Sequence, residues 1–290
     1  MPIYIEPASE YHGRPAVNAS LLWDIVGGEG CLALARWNSE WLNPDFQPLL
    51  YEEALENGTI AHLAVLEPEK LDSRISIIDA TSWRSKAAQD LREDAYANGL
   101  IPILLAREVG ARGPSFQKII EIRKALQASP AAPLLFGEGG QNEVSYTWEL
   151  DGIPCKARAD RIIPGHIIDL KTAPTASPAG FQRSMATWGH HLRASFYMDG
   201  WARQGQGEYD ADDYLFVVIQ KEPPHLVSTY RLEERSLSWG RKLVRRALRK
   251  FKDAYQRDQW PGFVTDMAEI GLPVWAEHQL ADLEAQEGEL

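Results

Sequence analysis

Two acidic residues and a lysine carry the most informative spacing in this 290-residue chain. Asp160 and the triplet Asp169-Leu170-Lys171 flank Pro164-Gly165, and both flanks read as strands with turn residues between them. If Pro164 and Gly165 form a two-residue loop, residue 163 faces 166 and Asp160 faces Asp169. Directly opposed side chains lie about 4.5–5.5 Å apart. Lys171 shares the face of Asp169, and Leu170 takes the other face. Facing carboxylates repel, but a divalent cation between them turns that penalty into a binding site, and hard oxygen ligands suit Mg²⁺ or Mn²⁺. An ammonium beside the cation could orient or activate a water, or stabilise a pentavalent phosphate. That outlines hydrolytic phosphodiester chemistry. The same pattern also occurs as a solvated strand face. Ile162, Ile163, Ile167, Ile168 and Leu170 place these acids at the edge of a core, where unpaired charge is costly.

The elements that must hold these groups follow from periodicity. Asn18-Ala-Ser20 starts a helix before Leu21, Leu22 and Trp23, and Gly27-Gly28 ends it. Helical periodicity resumes near Tyr51 and runs to Leu66, interrupted by Gly58 and ended by Pro68. Helices follow over 81–98 and 115–127, punctuated by Gly99 and Gly113-Pro114. The stretch 129–133 reads as a linker, after which the period changes to two. Val144, Tyr146, Trp148 and Leu150 share one face, and Asp151-Gly152 marks a hairpin. Strands are expected over 155–163 and 166–172, then a long helix over 179–204. Two more strands (214–219 and 226–231) and a helix over 236–257 complete the pattern. This describes a mixed α/β, α+β-like fold with helices on the faces of a sheet. The division expected is one domain over 1–290: a mainly helical part to 130 with His62, a core over 131–260 and a tail over 261–290.

Bulk properties narrow the function classes. A composition 44% hydrophobic and 24% charged is that of an ordinary globular protein. No apolar run is long enough for a membrane span, the first residues lack a signal-peptide pattern, and Cys31 and Cys155 form no CxxC. A cytoplasmic location is the expectation. The net charge of −11 means that any basic footprint for nucleic acid must be local. The candidate is the basic stretch 241–252, which reads equally as a phosphate track or a solvated helix face. Acidic stretches at 208–213 and after Trp275 account for much of the negative total. Ten tryptophans include Trp83, Trp188 and Trp201 as possible base-stacking groups, although most tryptophans belong to cores.

Gly58-Thr-Ile-Ala-His62, Glu143, Lys156-Ala-Arg-Ala-Asp160, Ile168-Asp-Leu-Lys-Thr172, Ala194-Ser-Phe-Tyr-Met-Asp-Gly200 and Leu272-Pro-Val-Trp275 occur in this order along the chain. Together they resemble the PD-(D/E)xK nuclease superfamily, and within it the RecE-like, exonuclease VIII-type branch. The resemblance implies a restriction-endonuclease-like core and a Mg²⁺ cofactor, with Mn²⁺ able to substitute. His62, Asp160, Asp169 and the Leu170 backbone carbonyl would be metal ligands. Asp160, Asp169, Lys171 and Glu143 would be catalytic, with Glu143 holding a second cation or orienting water; a plain surface strand glutamate is the other reading. Arg193 and Tyr197 would contact DNA, with Arg193 standing where the family usually has Gln. By the same resemblance the activity is 5′-to-3′ exonucleolysis of linear double-stranded DNA, leaving 3′ single strands for recombination. A homo-oligomeric ring around DNA, and a single-strand annealing protein as partner, are implied with it. The alternatives are a structure-specific, single-strand-specific or restriction endonuclease of the same superfamily, a non-catalytic DNA-binding relative, and a metal-dependent phosphatase or nucleotide hydrolase.

Overall fold

The computed structural model describes residues 3–47, 53–108, 115–206 and 210–287. In chain order they form β1 (Ile3–Ile5), α1 (Ala8–Gly13), α2 (Ala19–Val26), α3 (Leu32–Trp37), α4 (Glu53–Leu66), α5 (Leu71–Arg74), β2 (Ile75–Ile78), α6 (Lys86–Ala97), β3 (Ile101–Leu104), α7 (Phe116–Ala128) and α8 (Ala132–Phe136). The second half adds β4 (Gln141–Leu150), β5 (Ile153–Ile163), β6 (His166–Ala173), α9 (Pro178–Trp188), α10 (His190–Trp201), β7 (Tyr214–Gln220), β8 (Val227–Arg231), α11 (Glu234–Arg257) and α12 (Val274–Glu287). The expected helix start near Tyr51, the Gly113-Pro114 break and Glu208 of the acidic stretch lie outside the described residues.

The main sheet has the order β1-β4-β5-β6-β7-β8. Only β6–β7 is parallel, and α9 and α10 make the crossover between those strands. The two turns expected in the meander are both present. Asp151 and Gly152 have φ of 53° and 77°, which lets Leu150 pair with Ile153, and Gly165 (φ 81°) closes the turn pairing Ile163 with His166. Period-two alternation then sorts side chains between two helical layers. Val144, Tyr146, Trp148, Ile167, Phe216 and Val218 pack against α2, α10 and α11. On the opposite face Ile168, Leu170, Val217 and Ile219 meet Val65 and Leu66 of α4, Ile122 and Leu126 of α7, and Leu135 of α8.

Several expectations change in detail. α4 runs straight through Gly58. The helix expected over 179–204 is two helices, because Gly189 adopts φ 66° between α9 and α10, and a Cβ there would lie 2.3 Å from the Trp23 ring. Strands β2 and β3 form a parallel pair around α6 that periodicity did not show, each being only four residues long. The helix expected from Thr81 starts later, at Lys86, capped by Ser85. The supposed linker at 129–133 leads directly into α8, and the tail after 260 contains α12.

Candidate metal centre

Strand register builds the site. Asn142 pairs with Arg161 and Val144 with Ala159, so Glu143 stands opposite Asp160; Arg161 pairs with Ile168, so Asp169 is the next position across on β6. One row across three strands thus carries three carboxylates, and regular pairing between β5 and β6 ends beside it. There Asp160 Oδ2 accepts the Leu170 N–H at 2.8 Å in place of a ladder bond. N–H and C=O of one strand residue point to the same edge, so the Leu170 carbonyl also faces β5. Its side chain is fully buried, yet Leu170 lines the cavity.

His62 enters from α4, its Nδ1 3.6 Å from Asp160 Oδ2. Ligand atoms of His62, Glu143 and Asp160 all lie within 4.8 Å of one another. An imidazole nitrogen and two carboxylates converging this way are a donor set for one divalent cation. The charges are unbalanced without it. Burial raises the Asp160 carboxyl, with Asp169 adding to the rise and His62 opposing it. Burial and then Asp160 raise Glu143, against the pull of Arg158, whose Nε lies 2.5 Å from Glu143 Oε2. The residues therefore fit the cation that the sequence implies.

Asp169 is held differently. Its Oδ1 is bound by the Lys171 ammonium and its Oδ2 accepts the Tyr214 hydroxyl at 2.8 Å. Burial pushes this carboxyl up, but Lys171, Arg193 and His190 outweigh burial and hold it at about 2. Regular pairing stops one residue short of the expected Asp160–Asp169 pair, and the three-ligand cluster found among the described residues contains Glu143 and not Asp169. Lys171, Arg193 and Tyr197 line the same cavity, of about 580 Å³, together with His62, Glu143 and Asp160. Arg193 and Tyr197 lie one turn apart on α10. Burial opposes the Arg193 charge, but Tyr197, Asp169, Tyr214 and Asp160 more than restore it. Burial pushes the Tyr197 phenol up to about 12.

A family model described as a PDDEXK-like domain of unknown function (DUF3799) matches residues 30–269. The chain belongs to that family. Its fold is accordingly the restriction-endonuclease-like one, a mixed α/β sheet flanked by helices. The crystal structure of a Eubacterium rectale protein described as "Putative exonuclease" superposes with a TM-score of 0.60 at 15% identity, covering 94% of this chain and 98% of that one. A second, the crystal structure of SSO0001, gives a TM-score of 0.27 at 15% identity over 64% of this chain and 73% of that one, too low to carry an argument. No curated protein matches the sequence. Among the described residues no helix is long and apolar enough to cross a membrane.

Sequence reasoning gave no role to Arg158 or Tyr214. Arg158 was legible: Lys156, Arg158 and Asp160 alternate with Ala157 and Ala159, which puts three charged groups on one face of β5. Arg158 also donates to the Glu6 carbonyl at 2.9 Å, tying the N-terminal segment to the site. Tyr214 had no local signal, since its contact with Asp169 depends on the parallel pairing of β6 with β7. Of the three tryptophans considered for stacking, Trp201 is core, Trp83 lies under the Arg92 guanidinium, and Trp188 is 64% exposed at the cavity. None of the basic residues in 241–252 lines that cavity.

Proposed function

We propose that this protein is a metal-dependent nuclease, organised as one nuclease domain over 1–290, whose substrate is the end of linear double-stranded DNA. The observation that carries the reading is the convergence of His62, Glu143 and Asp160 in one cavity with Lys171 and Arg193. A bound Mg²⁺, or Mn²⁺ in its place, would supply Lewis acidity, acidifying the attacking water and offsetting charge on the phosphate. His62 and Asp160 would hold it, with Glu143 completing the cluster and the Leu170 carbonyl and Asp169 at its β6 side. Lys171, anchored on Asp169, presents its ammonium to the scissile phosphate or to the attacking water. Arg193 offers a planar fork suited to a phosphate oxygen pair, with Tyr197 beside it on the same helix face. Thus Asp160, Asp169, Lys171 and Glu143 form the catalytic set.

The duplex end as substrate, 5′-to-3′ direction, 3′ single-stranded products for recombination, assembly with copies of itself and a partner annealing protein are supported by the resemblance to RecE-like exonucleases. Magnesium-dependent digestion of linear duplex, with closed circles and single strands spared, is the expected activity. Asp160→Ala and Lys171→Ala should each reduce it at least a hundredfold with the fold retained. Undiminished digestion by either variant removes the mechanism, and cutting of closed circles turns the reading to an endonuclease.

A further inference from the structure

The chain after Pro261 is the least explained part of the molecule. Pro261 is its last anchor, where its carbonyl accepts the Ala33 N–H and the neighbouring Trp260 packs on Phe251. From 262 to 285 no described side chain is buried. Phe263, Met267, Ile270, Leu272, Trp275 and Leu280 are all exposed, Met267 to 96%. An apolar stretch of this length without a covering surface marks an interface. The helix α12 makes the same point. Fourteen residues are marginal for a helix alone in water, and none of the described side chains of α12 is packed in a core.

Charge identifies what covers the arm. Beyond Arg257 the sequence has no Lys or Arg, while Asp266, Glu269, Glu277, Asp282, Glu284 and Glu287 lie on the arm. The complementary surface is the outer face of α11. Arg245, Arg246, Arg249 and Lys250 are exposed there, and none of them meets a carboxylate among the described residues. Exposed Trp239 lies toward the N-terminal end of this face and supplies apolar surface, with the Lys242 ammonium 4.2 Å from the centre of its ring. The arm follows α11 directly in the chain yet leaves that face open on its own molecule.

We propose that the acidic, apolar arm of one copy docks on the basic outer face of α11 in a second copy. Such a contact joins two different surfaces and is head-to-tail, so it propagates until rotation closes a ring. This deepens the assembly reading above and rests on it. It also gives the basic stretch a protein partner instead of a DNA backbone.

Light scattering coupled to size exclusion on the full chain tests the docking. The wild type should run as a multiple of 32.6 kDa. Arg245→Glu with Arg249→Glu should weaken self-association at least tenfold, and Asp282→Arg with Glu284→Arg should do the same. A chain carrying all four reversals should reassemble, because arm and face remain complementary. A wild-type monomer overturns both the assembly reading and this contact. Assembly that ignores the reversals, or is not restored in the fourfold variant, overturns the contact alone. So does a drop in DNA affinity of the α11 variant at unchanged mass.

Discussion

Replacing Asp160 by Asn tests the cation site with opposite signs in the presence and absence of metal. A carboxylate oxygen of Asp160 lies within 4.8 Å of one of Glu143. At about 5 Å and an effective dielectric constant of about 20, two unit charges repel by roughly 3 kcal/mol. Arg158 and His62 offset part of this, so the ion-free protein should gain up to about 3 kcal/mol from Asp160→Asn, with the bond from the Leu170 N–H retained by the amide oxygen. That is a rise of at most roughly 6–12 °C in Tm for a chain of this size. Metal reverses the ranking. At 100 times its dissociation constant, Mn²⁺ stabilises the wild type by about 2.7 kcal/mol, or roughly 5–10 °C, and should leave the variant within about 1 °C. The pH dependence has a definite sign. Both carboxyls have folded pKa values above their unfolded ones, so the folded state holds more protons between the two values. Ion-free stability from this pair is therefore lost as pH rises through the raised values, and the Mn²⁺-induced shift should be smaller near pH 5 than near pH 7.5. Differential scanning fluorimetry with and without Mn²⁺ at the two pH values reads all of this. A variant that melts lower than the ion-free wild type, or keeps the full Mn²⁺ shift, would refute the three-ligand cluster.

Two further substitutions probe the supports of the site. Lys156 is fully buried and donates to the carbonyls of Tyr11, His12 and Arg14, pinning the segment that lines the cavity, while burial draws its ammonium down to about 8. Lys156→Met keeps the volume but leaves three carbonyls unpaired, an expected loss of about 3 kcal/mol or more in urea unfolding; an unchanged midpoint would show that the segment does not depend on this residue. Tyr214→Phe removes the hydroxyl that Asp169 accepts at 2.8 Å and should cost about 1.5–3 kcal/mol at neutral pH. Asp169 contributes stability that is present above its unfolded pKa and lost as pH falls toward about 2, so the cost should shrink in that acid window. A deficit that stays constant down to pH 2 would mean that the hydroxyl does not act through the carboxylate.

The parts of the fold legible in sequence are those specified locally. Asn18 caps α2 through the Leu21 N–H, and Asp151-Gly152 and Pro164-Gly165 set the register that aligns Glu143, Asp160 and Asp169. What escaped depends on distant partners. Gly189 breaks the helix because Trp23 occupies the space beside it, and nothing near Gly189 announces that. The strands β2 and β3 are short and pair across an intervening helix, so neither shows a period of its own. The grouping of ligands was half legible. Register places Asp160 between two carboxylates, but its choice of Glu143 over Asp169 is made by Tyr214 and Lys171, which occupy the Asp169 oxygens from β7 and from its own strand.

This division of the three carboxylates accounts for the order in which the strands separate. Had β5 and β6 continued to pair, the Leu170 N–H and carbonyl would be consumed by the ladder. Ending the ladder after Arg161–Ile168 leaves an N–H to fix one Asp160 oxygen. The cost is a lost run of ladder bonds and a row of acids, Asp169 buried and Glu143 and Asp160 half-buried. Arg158 and Lys171 each neutralise one outer member of that row and leave Asp160 at its centre without a strong cation of its own. A divalent ion is what that central position lacks, and His62 on α4 is placed to share it. On this reasoning the binding energy of the cation is drawn from the same repulsion that destabilises the ion-free strands, so affinity for metal and apo-stability should move in opposite directions whenever Glu143 or Asp160 is neutralised.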